Sequence, residues 1–273
     1  MSSLLDDGVL RTPRPHERPI APWMRTASGG MRMVGRAIAR WTSALIVMGR
    51  IARALRRARV MSRVAADLEA GRLLSWASKR TCEIHGLDIS VVGSLPPVPC
   101  VIVSNHVTYL DPMVVLSLNA ARPIAKSAVA WWPLIGRLAC RLGVIFVNRR
   151  SMQQRARVLR WVIRTLSHGM AVLNFPEGTT STGEGLLPFH RGIFGAARIA
   201  GVPVVPVWLE YSPKWLAWVG NRAFLGHYLR FSLLERSSVT VRVGAPIFPR
   251  PEVSAQALAV YAAERMRALQ AGG

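Results

Sequence analysis

A histidine and an aspartate in the middle of the chain have the types and spacing of a base and its orienting partner. Asp111 follows His106 in the sequence NHVTYLD and precedes Pro112, which suits a helix N-cap with proline at the first helical position. A lone histidine is commonly structural. If the loop folds His106 back onto the capping carboxylate, the pairing fixes the ring tautomer and leaves the other nitrogen as a base.

The neighbouring sequence indicates which reaction such a base would serve. Neither a serine nor a cysteine adjoins the pair in a nucleophile-elbow sequence such as GxSxG. We therefore predict that His106 takes the proton of an acceptor hydroxyl directly.

Two further polar segments follow apolar runs. Arg149 stands just before the predicted helix cap Ser151, where a guanidinium and helix N–H groups could bind an anion; a solvated arginine is the alternative. Glu177 either caps a turn or belongs to a site, and Gly178 predicts a positive φ. The loop PFHRG adds Arg191 before the next helix, as a further cationic group.

Short apolar runs alternate with amphipathic segments in the second half of the chain. The runs predict strands, and the segments between them predict helices. The predicted strands are 101–104, 144–147, 170–175, 202–210 and 239–243, and the predicted helices are 112–119, 151–167 and 254–269. This order predicts an α/β fold, a mostly parallel sheet flanked by helices, with ligands bound beyond the carboxyl ends of the strands.

The N-terminal third has a different character. Residues 1–30 are rich in proline and arginine and predict a disordered basic arm, and residues 31–80 predict a membrane-anchoring helical segment. Its apolar positions recur every three or four residues on one helical face, with arginines opposite. The residues expected to touch the membrane are Ile38, Trp41, Leu45 and Met48 on the apolar face, with Arg36, Arg40 and Arg53 on the polar face.

Alternatives to this membrane-interface helix are a surface helix packed on its own domain and a coiled-coil seam. We favour the membrane because residues 31–63 contain no acid, and an all-arginine polar face suits anionic headgroups. The spacing predicts that the helix ends or turns after Leu55, where arginines enter its apolar face.

Composition points the same way. The 273 residues carry a net charge of +22, are 51% hydrophobic and contain no apolar stretch near the ~20 residues of a spanning helix. The charge alone would also suit a nucleic-acid-binding protein or a non-catalytic membrane-surface protein. We expect no nucleic acid, because the arginines line an apolar helix and no base-reading motif is present.

Four segments together resemble the glycerolipid acyltransferase family, and most of all its 1-acylglycerol-3-phosphate acyltransferases. They are NHVTYLD, FVNR, FPEGT and VPVVPV, within roughly residues 84–247. The resemblance implies an acyltransferase domain, here residues 81–273, an acyl-CoA or acyl-carrier-protein donor, a lysolipid acceptor, neither metal nor cofactor, and N-terminal helices lying in one leaflet. We accordingly expect a peripheral or monotopic enzyme at the cytoplasmic face of a membrane.

The resemblance also implies roles for single residues. His106 would be the base and Asp111 its partner, Arg149 would bind the acceptor phosphate with Phe146 beside it, and Glu177 and Gly178 would shape the acceptor site. The full substrate-binding set that we predict is Lys126, Phe146, Arg149, Glu177, Gly178, Thr179 and Arg191.

Departures from the family pattern concern the acceptor. Thr180 stands where the family often has arginine after FPEGT, and the resulting FPEGTTS resembles the subgroup that acylates lyso-ornithine lipid. The expected product is phosphatidic acid, made from 1-acylglycerol-3-phosphate, with lyso-ornithine lipid as the alternative acceptor.

Overall fold

The structure, a computed structural model, describes residues 27–97, 99–131, 135–148, 151–220 and 223–272. Within these ranges the strands form one sheet in the order β1-β7-β6-β2-β5-β3-β4. The strands are β1 (Leu87–Val92), β2 (Val101–Ser104), β3 (Ala121–Lys126), β4 (Ile145–Val147), β5 (Ala171–Asn174), β6 (Val204–Ser212) and β7 (Ser237–Val243).

Most of the sheet is parallel, which confirms the prediction. Strands β2 to β6 run in one direction, whereas β7 pairs antiparallel with β6, and β1 pairs parallel with β7. Two strands, β1 and β3, carry no clear signal in the sequence. Because β2, β5, β3 and β4 are parallel, their carboxyl ends lie along the same edge of the sheet, where the predicted polar segments emerge.

Helices cover both faces of the sheet. They are α1 (Ala27–Arg57), α2 (Arg63–Ile84), α3 (Asp111–Leu118), α4 (Ile135–Arg141), α5 (Met152–Ser167), α6 (Gly192–Ala200), α7 (Phe224–Phe231) and α8 (Ala255–Ala271). Successive residues of a strand point to opposite faces. Accordingly, Val101 and Val103 pack against the side of α5, α6 and α8, while Ile102 joins the core beneath α2 and α3.

The N-terminal helix turns where the sequence predicts. A short 3₁₀ turn, Ala58–Val60, follows α1, and Ser62 then caps α2 by accepting a hydrogen bond from the Ala65 N–H at 3.3 Å. The predicted basic arm lies outside the described residues, except for its last four residues, which belong to α1.

Two of the arginines expected to face lipid instead fasten α1 to the domain. Arg40 is only 3% exposed, and its guanidinium donates to the carbonyls of His85 (3.0 Å) and Leu234 (2.9 Å). Arg36 donates to the carbonyl of Leu233 at 2.7 Å. These carbonyls lie at the ends of α2 and α7, where a helix leaves carbonyls unpaired and carries partial negative charge. The buried Arg40 therefore cannot contact a membrane as predicted, whereas the membrane contact of Arg36, whose side chain is 28% exposed, stays a prediction.

The apolar face of α1 is nevertheless largely uncovered. We call Met31, Val34, Ile38, Trp41 and Leu45 the α1 apolar stripe; their exposed fractions run from 39% at Trp41 to 71% at Met31. Met48 is half-buried and Arg53 is exposed. The described helices include none that is both long enough and apolar enough to cross a membrane.

Replacing Arg40 with alanine should destabilise the fold. Three carbonyls, those of His85, Phe231 and Leu234, would lose a charged donor, at a cost of about 2–4 kcal/mol. Thermal unfolding of the full chain measures the effect. The matched control is Arg53→Ala on the exposed side of the same helix, which should stay within about 0.5 kcal/mol of wild type. Equal melting temperatures for the two variants would contradict the fastening role.

Candidate active site

The loop between β2 and α3 begins with a buried amide clamp. Asn105 is fully buried, and its Nδ2 donates to the carbonyl of Leu209 on β6 at 2.9 Å, while its Oδ1 accepts from the Leu209 N–H at 2.7 Å. A side-chain amide thereby replaces a backbone partner at the point where β2 ends. The clamp fixes where the next residue, His106, leaves the sheet.

His106 and Asp111 meet as the sequence predicts. The Nδ1 of His106 lies 2.7 Å from Oδ2 of Asp111, and the carboxylate is fully buried. The same oxygen accepts from the N–H groups of Val107 at 2.6 Å and Thr108 at 2.9 Å. A carboxylate facing Nδ1 requires a proton there, so the tautomer leaves Nε2 unprotonated and able to accept a proton.

The capping role predicted for Asp111 was wrong. Leu110 occupies the N-cap position, Asp111 is already the first residue of α3, and the hydrogen bonds of its carboxylate go to residues 106–108. The carboxylate instead bonds backward into the loop that carries His106. The amides of that loop, rather than those of the helix, hold the carboxylate in a fixed orientation.

The His106 ring is packed on one face and remains partly exposed. Phe175 stacks on it, with ring centroids 4.2 Å apart and planes at 21°. The His106 side chain is 21% exposed, and no hydrogen bond joins Nε2 to a residue that the structure describes. The ring therefore offers one nitrogen to a substrate at the carboxyl edge of the sheet.

Glu177 holds the backbone around this ring. Its Oε1 accepts from the His106 N–H at 3.1 Å, and its Oε2 accepts from the Leu187 N–H at 3.0 Å. Ser181 completes the hold, since its N–H donates to the His106 carbonyl at 2.7 Å. Burial raises the pKa of Glu177, while the two amides oppose that shift. Both carboxylate oxygens are thus engaged by the protein, and Glu177 acts on the site through the loops it joins.

The rest of the FPEGT segment forms the turn after β5. Gly178 has a φ of +76°, which confirms the positive φ predicted for it. Thr179 is exposed beside it. The carbonyl of Pro176 accepts from the His190 N–H at 2.9 Å, so the loop that precedes Arg191 returns to this turn.

Lys126 and Phe146 lie on the same edge of the sheet but farther out. Lys126 ends β3 and is exposed, and Phe146 on β4 is half-buried and faces Ala125 in the register. Since β5 separates β2 from β3, a spacing of about 4.8 Å per strand places Lys126 roughly 10 Å from the line of β2. An extended lipid headgroup could span that distance.

Arg191 is not brought to His106 by any described contact. It is exposed at the N-terminus of α6 and borders a surface cavity of about 370 Å³ with Leu159 and Ile163 of α5. Arg149, the predicted phosphate ligand, lies outside the described residues, so its role stays a prediction.

Three contributors to the site were not predicted from the sequence: Asn105, Phe175 and Ser181. Asn105 and Phe175 stand in the motifs themselves, one and two positions before His106 and Glu177 respectively. An amide residue directly after the short strand VIVS is the signal that could have identified Asn105. Ser181 gives no such signal, because its contact with His106 depends on the path of a loop.

The chain is similar to proteins of one enzyme family. The acyltransferase family model matches residues 88–210. The lyso-ornithine lipid O-acyltransferase of Pseudomonas aeruginosa is 33% identical over 195 residues, which cover 68% of this chain and 75% of that protein. The 1-acyl-sn-glycerol-3-phosphate acyltransferase of Neisseria gonorrhoeae is 35% identical over 126 residues, covering 46% and 49% of the two chains.

The fold has a counterpart among solved structures. The crystal structure of the 1-acyl-sn-glycerophosphate acyltransferase PlsC from Thermotoga maritima superposes with a TM-score of 0.68, at 22% identity, over 88% of this chain and 96% of that one. Fold, family model and relatives agree, and the chain belongs to the glycerolipid acyltransferase family. It is an acyltransferase.

Replacing Glu177 with alanine should loosen the site. The amides of His106 and Leu187 would lose a charged acceptor, which we expect to lower the free energy of unfolding by about 2–3 kcal/mol. Chemical denaturation measures this change. Glu184→Ala, at an exposed glutamate in the same loop region, should change it by less than about 0.5 kcal/mol.

The pH dependence of protein stability gives a second test of the surroundings of Glu177. Because burial raises the pKa of Glu177, the folded protein holds this proton more tightly than the unfolded chain does. Wild-type stability, measured relative to the non-titrating Glu177→Gln variant, should therefore fall as pH rises from the ordinary glutamate value through the raised one. A stability advantage of wild type over Glu177→Gln that grows with pH in this window would contradict a raised pKa at Glu177.

Proposed function

We propose that the enzyme transfers a fatty acyl chain from a thioester donor to the free hydroxyl of a lysolipid, with His106 as the general base. The observation that carries the proposal is the 2.7 Å pairing of His106 Nδ1 with the buried Asp111, which leaves Nε2 of a ring that is 21% exposed without a partner among the described residues. Such a pair supplies a base in the correct tautomer, and among the described residues no serine, threonine or cysteine side chain is hydrogen-bonded to the His106 ring.

The reaction needs only one proton carrier. Nε2 of His106 takes the proton of the acceptor hydroxyl as its oxygen attacks the thioester carbonyl. The C–O bond forms, the tetrahedral intermediate collapses, and the C–S bond breaks. The protonated ring then returns its proton to the departing thiolate, so the ester and the free thiol leave a neutral imidazole behind. Asp111 stabilises the imidazolium in between.

For the acceptor, lyso-ornithine lipid is our first choice. The aligned region covers 75% of the Pseudomonas aeruginosa relative that bears this name, against 49% of the Neisseria gonorrhoeae glycerophosphate relative. Thr180 supports the same choice, because the segment FPEGTTS offers no cation where a phosphate-binding relative often has arginine. Lysophosphatidic acid is the second candidate, favoured by Arg149 in FVNR and by the exposed Lys126.

Replacing His106 with alanine should reduce transfer by ~10²–10⁴-fold, the usual contribution of a general base. Purified protein is assayed with labelled acyl-CoA or acyl-carrier protein on lyso-ornithine lipid and on lysophosphatidic acid. His168→Ala is the control, since His168 is an exposed histidine after α5. An unchanged melting temperature shows that the His106 variant is folded.

The assay also separates the candidate functions. Faster transfer to lyso-ornithine lipid supports our choice of acceptor, and faster transfer to lysophosphatidic acid replaces it with the second candidate. A His106→Ala rate within a few-fold of wild type on both lipids would contradict the base assignment.

We further propose that the α1 apolar stripe rests in the cytoplasmic leaflet of a membrane, so that the enzyme is monotopic. A series of aromatic contacts leads from the stripe to the site. Trp41 contacts Tyr228, Tyr228 stacks on Phe224, and Phe224 contacts Tyr109, three residues after His106. A lysolipid keeps its chain in the bilayer, so a site beside the stripe receives it by lateral diffusion.

Replacing Ile38 and Leu45 with serine should weaken binding to liposomes roughly tenfold or more, because two apolar side chains lose their lipid contact. Trp41 stays intact because its ring also contacts Tyr228. The control replaces the exposed Ile199 and Val260, on α6 and α8, with serine. Arg53→Gln should weaken binding to anionic liposomes only, by ~1 kcal/mol. Equal losses in the control pair would refute this placement.

A further inference from the structure

The Asp111 carboxylate is bonded unevenly. Three donors, from His106, Val107 and Thr108, all converge on Oδ2. Its other oxygen, Oδ1, is buried without a hydrogen-bond partner among the described residues. A buried, unpaired carboxylate oxygen is costly, because it has given up its bonds to water.

A second buried oxygen in the same core also lacks a partner within the described part of the chain. It is the hydroxyl of Tyr211, a residue on β6 that is 4% exposed. Tyr211 follows Leu209, the residue clamped by Asn105, by two positions, so both side chains point to the face of the sheet beneath α2 and α3. Burial raises the pKa of Tyr211 well above its ordinary value, and the negative charge of Asp111 raises it further.

The two oxygens have complementary needs. A protonated phenol has one O–H to donate, and a carboxylate oxygen can only accept. A hydrogen bond between them would satisfy both groups at once. Buried polar groups in proteins are rarely left unpaired, so a pairing between them removes two exceptions together.

We propose that the Tyr211 hydroxyl donates a hydrogen bond to Oδ1 of Asp111 and is a positioning residue for the catalytic pair. The inference rests on the proposed role of His106 and deepens it. His106 and the two loop amides hold Oδ2 from above, and Tyr211 holds Oδ1 from the sheet. The carboxylate then keeps one orientation while His106 gains and loses its proton.

The bond has a consequence for proton transfer. A donor on Oδ1 spreads the negative charge of the carboxylate and limits its pull on the proton of His106 Nδ1. Without that donor, Asp111 stabilises the protonated ring more strongly. The acid limb of the pH profile of kcat, which reports protonation of the base, then moves to higher pH.

The test is Tyr211→Phe in the full chain, which removes one oxygen and keeps the ring packed. We expect kcat to fall about tenfold, the rate equivalent of part of one charged hydrogen bond, with little change in either substrate KM. The acid limb should move to higher pH, and the melting temperature should fall because Oδ1 is left alone.

Ser237→Ala is the matched control. The Ser237 hydroxyl is likewise buried, on the neighbouring strand β7, with no hydrogen-bond partner in the described ranges. Deleting an unpaired hydroxyl is neutral or stabilising, so this variant should keep the wild-type profile and melting temperature. If Tyr211→Phe behaves as the control does, the Tyr211 hydroxyl is unpaired and the proposal is overturned.

A double-mutant cycle tests the pair without any assay of activity. If the two groups are bonded, the loss of melting temperature caused by Tyr211→Phe should shrink when Asp111 is already alanine. Additive losses overturn the proposal. Failure of the proposed function looks different: His106→Ala would retain transfer, whatever the cycle shows.

Discussion

The site depends on a carboxylate that the fold has removed from water. Asp111 is fully buried at the start of α3, and a buried charge persists only where donors surround it. The nearest donors are its own loop amides, at Val107 and Thr108, and the ring of His106. Meeting that need bends the loop back on itself. The conformation of residues 106–111 and the tautomer of the base thus follow from one electrostatic requirement.

A base is useful only if its backbone stays where the substrate will be. Asn105 ties the start of the loop to β6, Glu177 holds the amide of His106, and Ser181 holds its carbonyl. These ties come from β6 and from the loop after β5, so the position of His106 is set by the two strands that flank β2. Placement of this kind lowers the entropy that must be lost when reactants align.

The N-terminal helix is also bound to the domain by hydrogen bonds between a charged side chain and the backbone. Here the charge is positive, and the backbone groups are carbonyls. Helix ends leave carbonyl groups unpaired, and Arg36 and Arg40 supply donors to those that follow α7, with Arg40 also reaching the end of α2. With these arginines turned inward, the apolar positions of α1 face outward. The helix is therefore a fixed part of the acyltransferase domain, and its uncovered stripe keeps a constant relation to the site.

The sequence by itself determined the alternation of strands and helices apart from β1 and β3, the mostly parallel sheet, the pairing of His106 with Asp111 and the positive φ of Gly178. These features follow from local signals: apolar periodicity, cap residues, and motifs whose members lie within a few positions of one another. Only the tertiary structure decided which groups each helix face and each polar side chain contacts. Periodicity divided α1 into two faces but did not say which one meets the domain, because the carbonyls that bind Arg40 come from His85 and residues 231–234, far along the chain. For the same reason the sequence predicts that Asp111 caps α3, whereas in the structure its carboxylate accepts hydrogen bonds from the loop that precedes this helix. A carboxylate bonds to whichever donors the fold brings within about 3 Å, and that distance is set by packing.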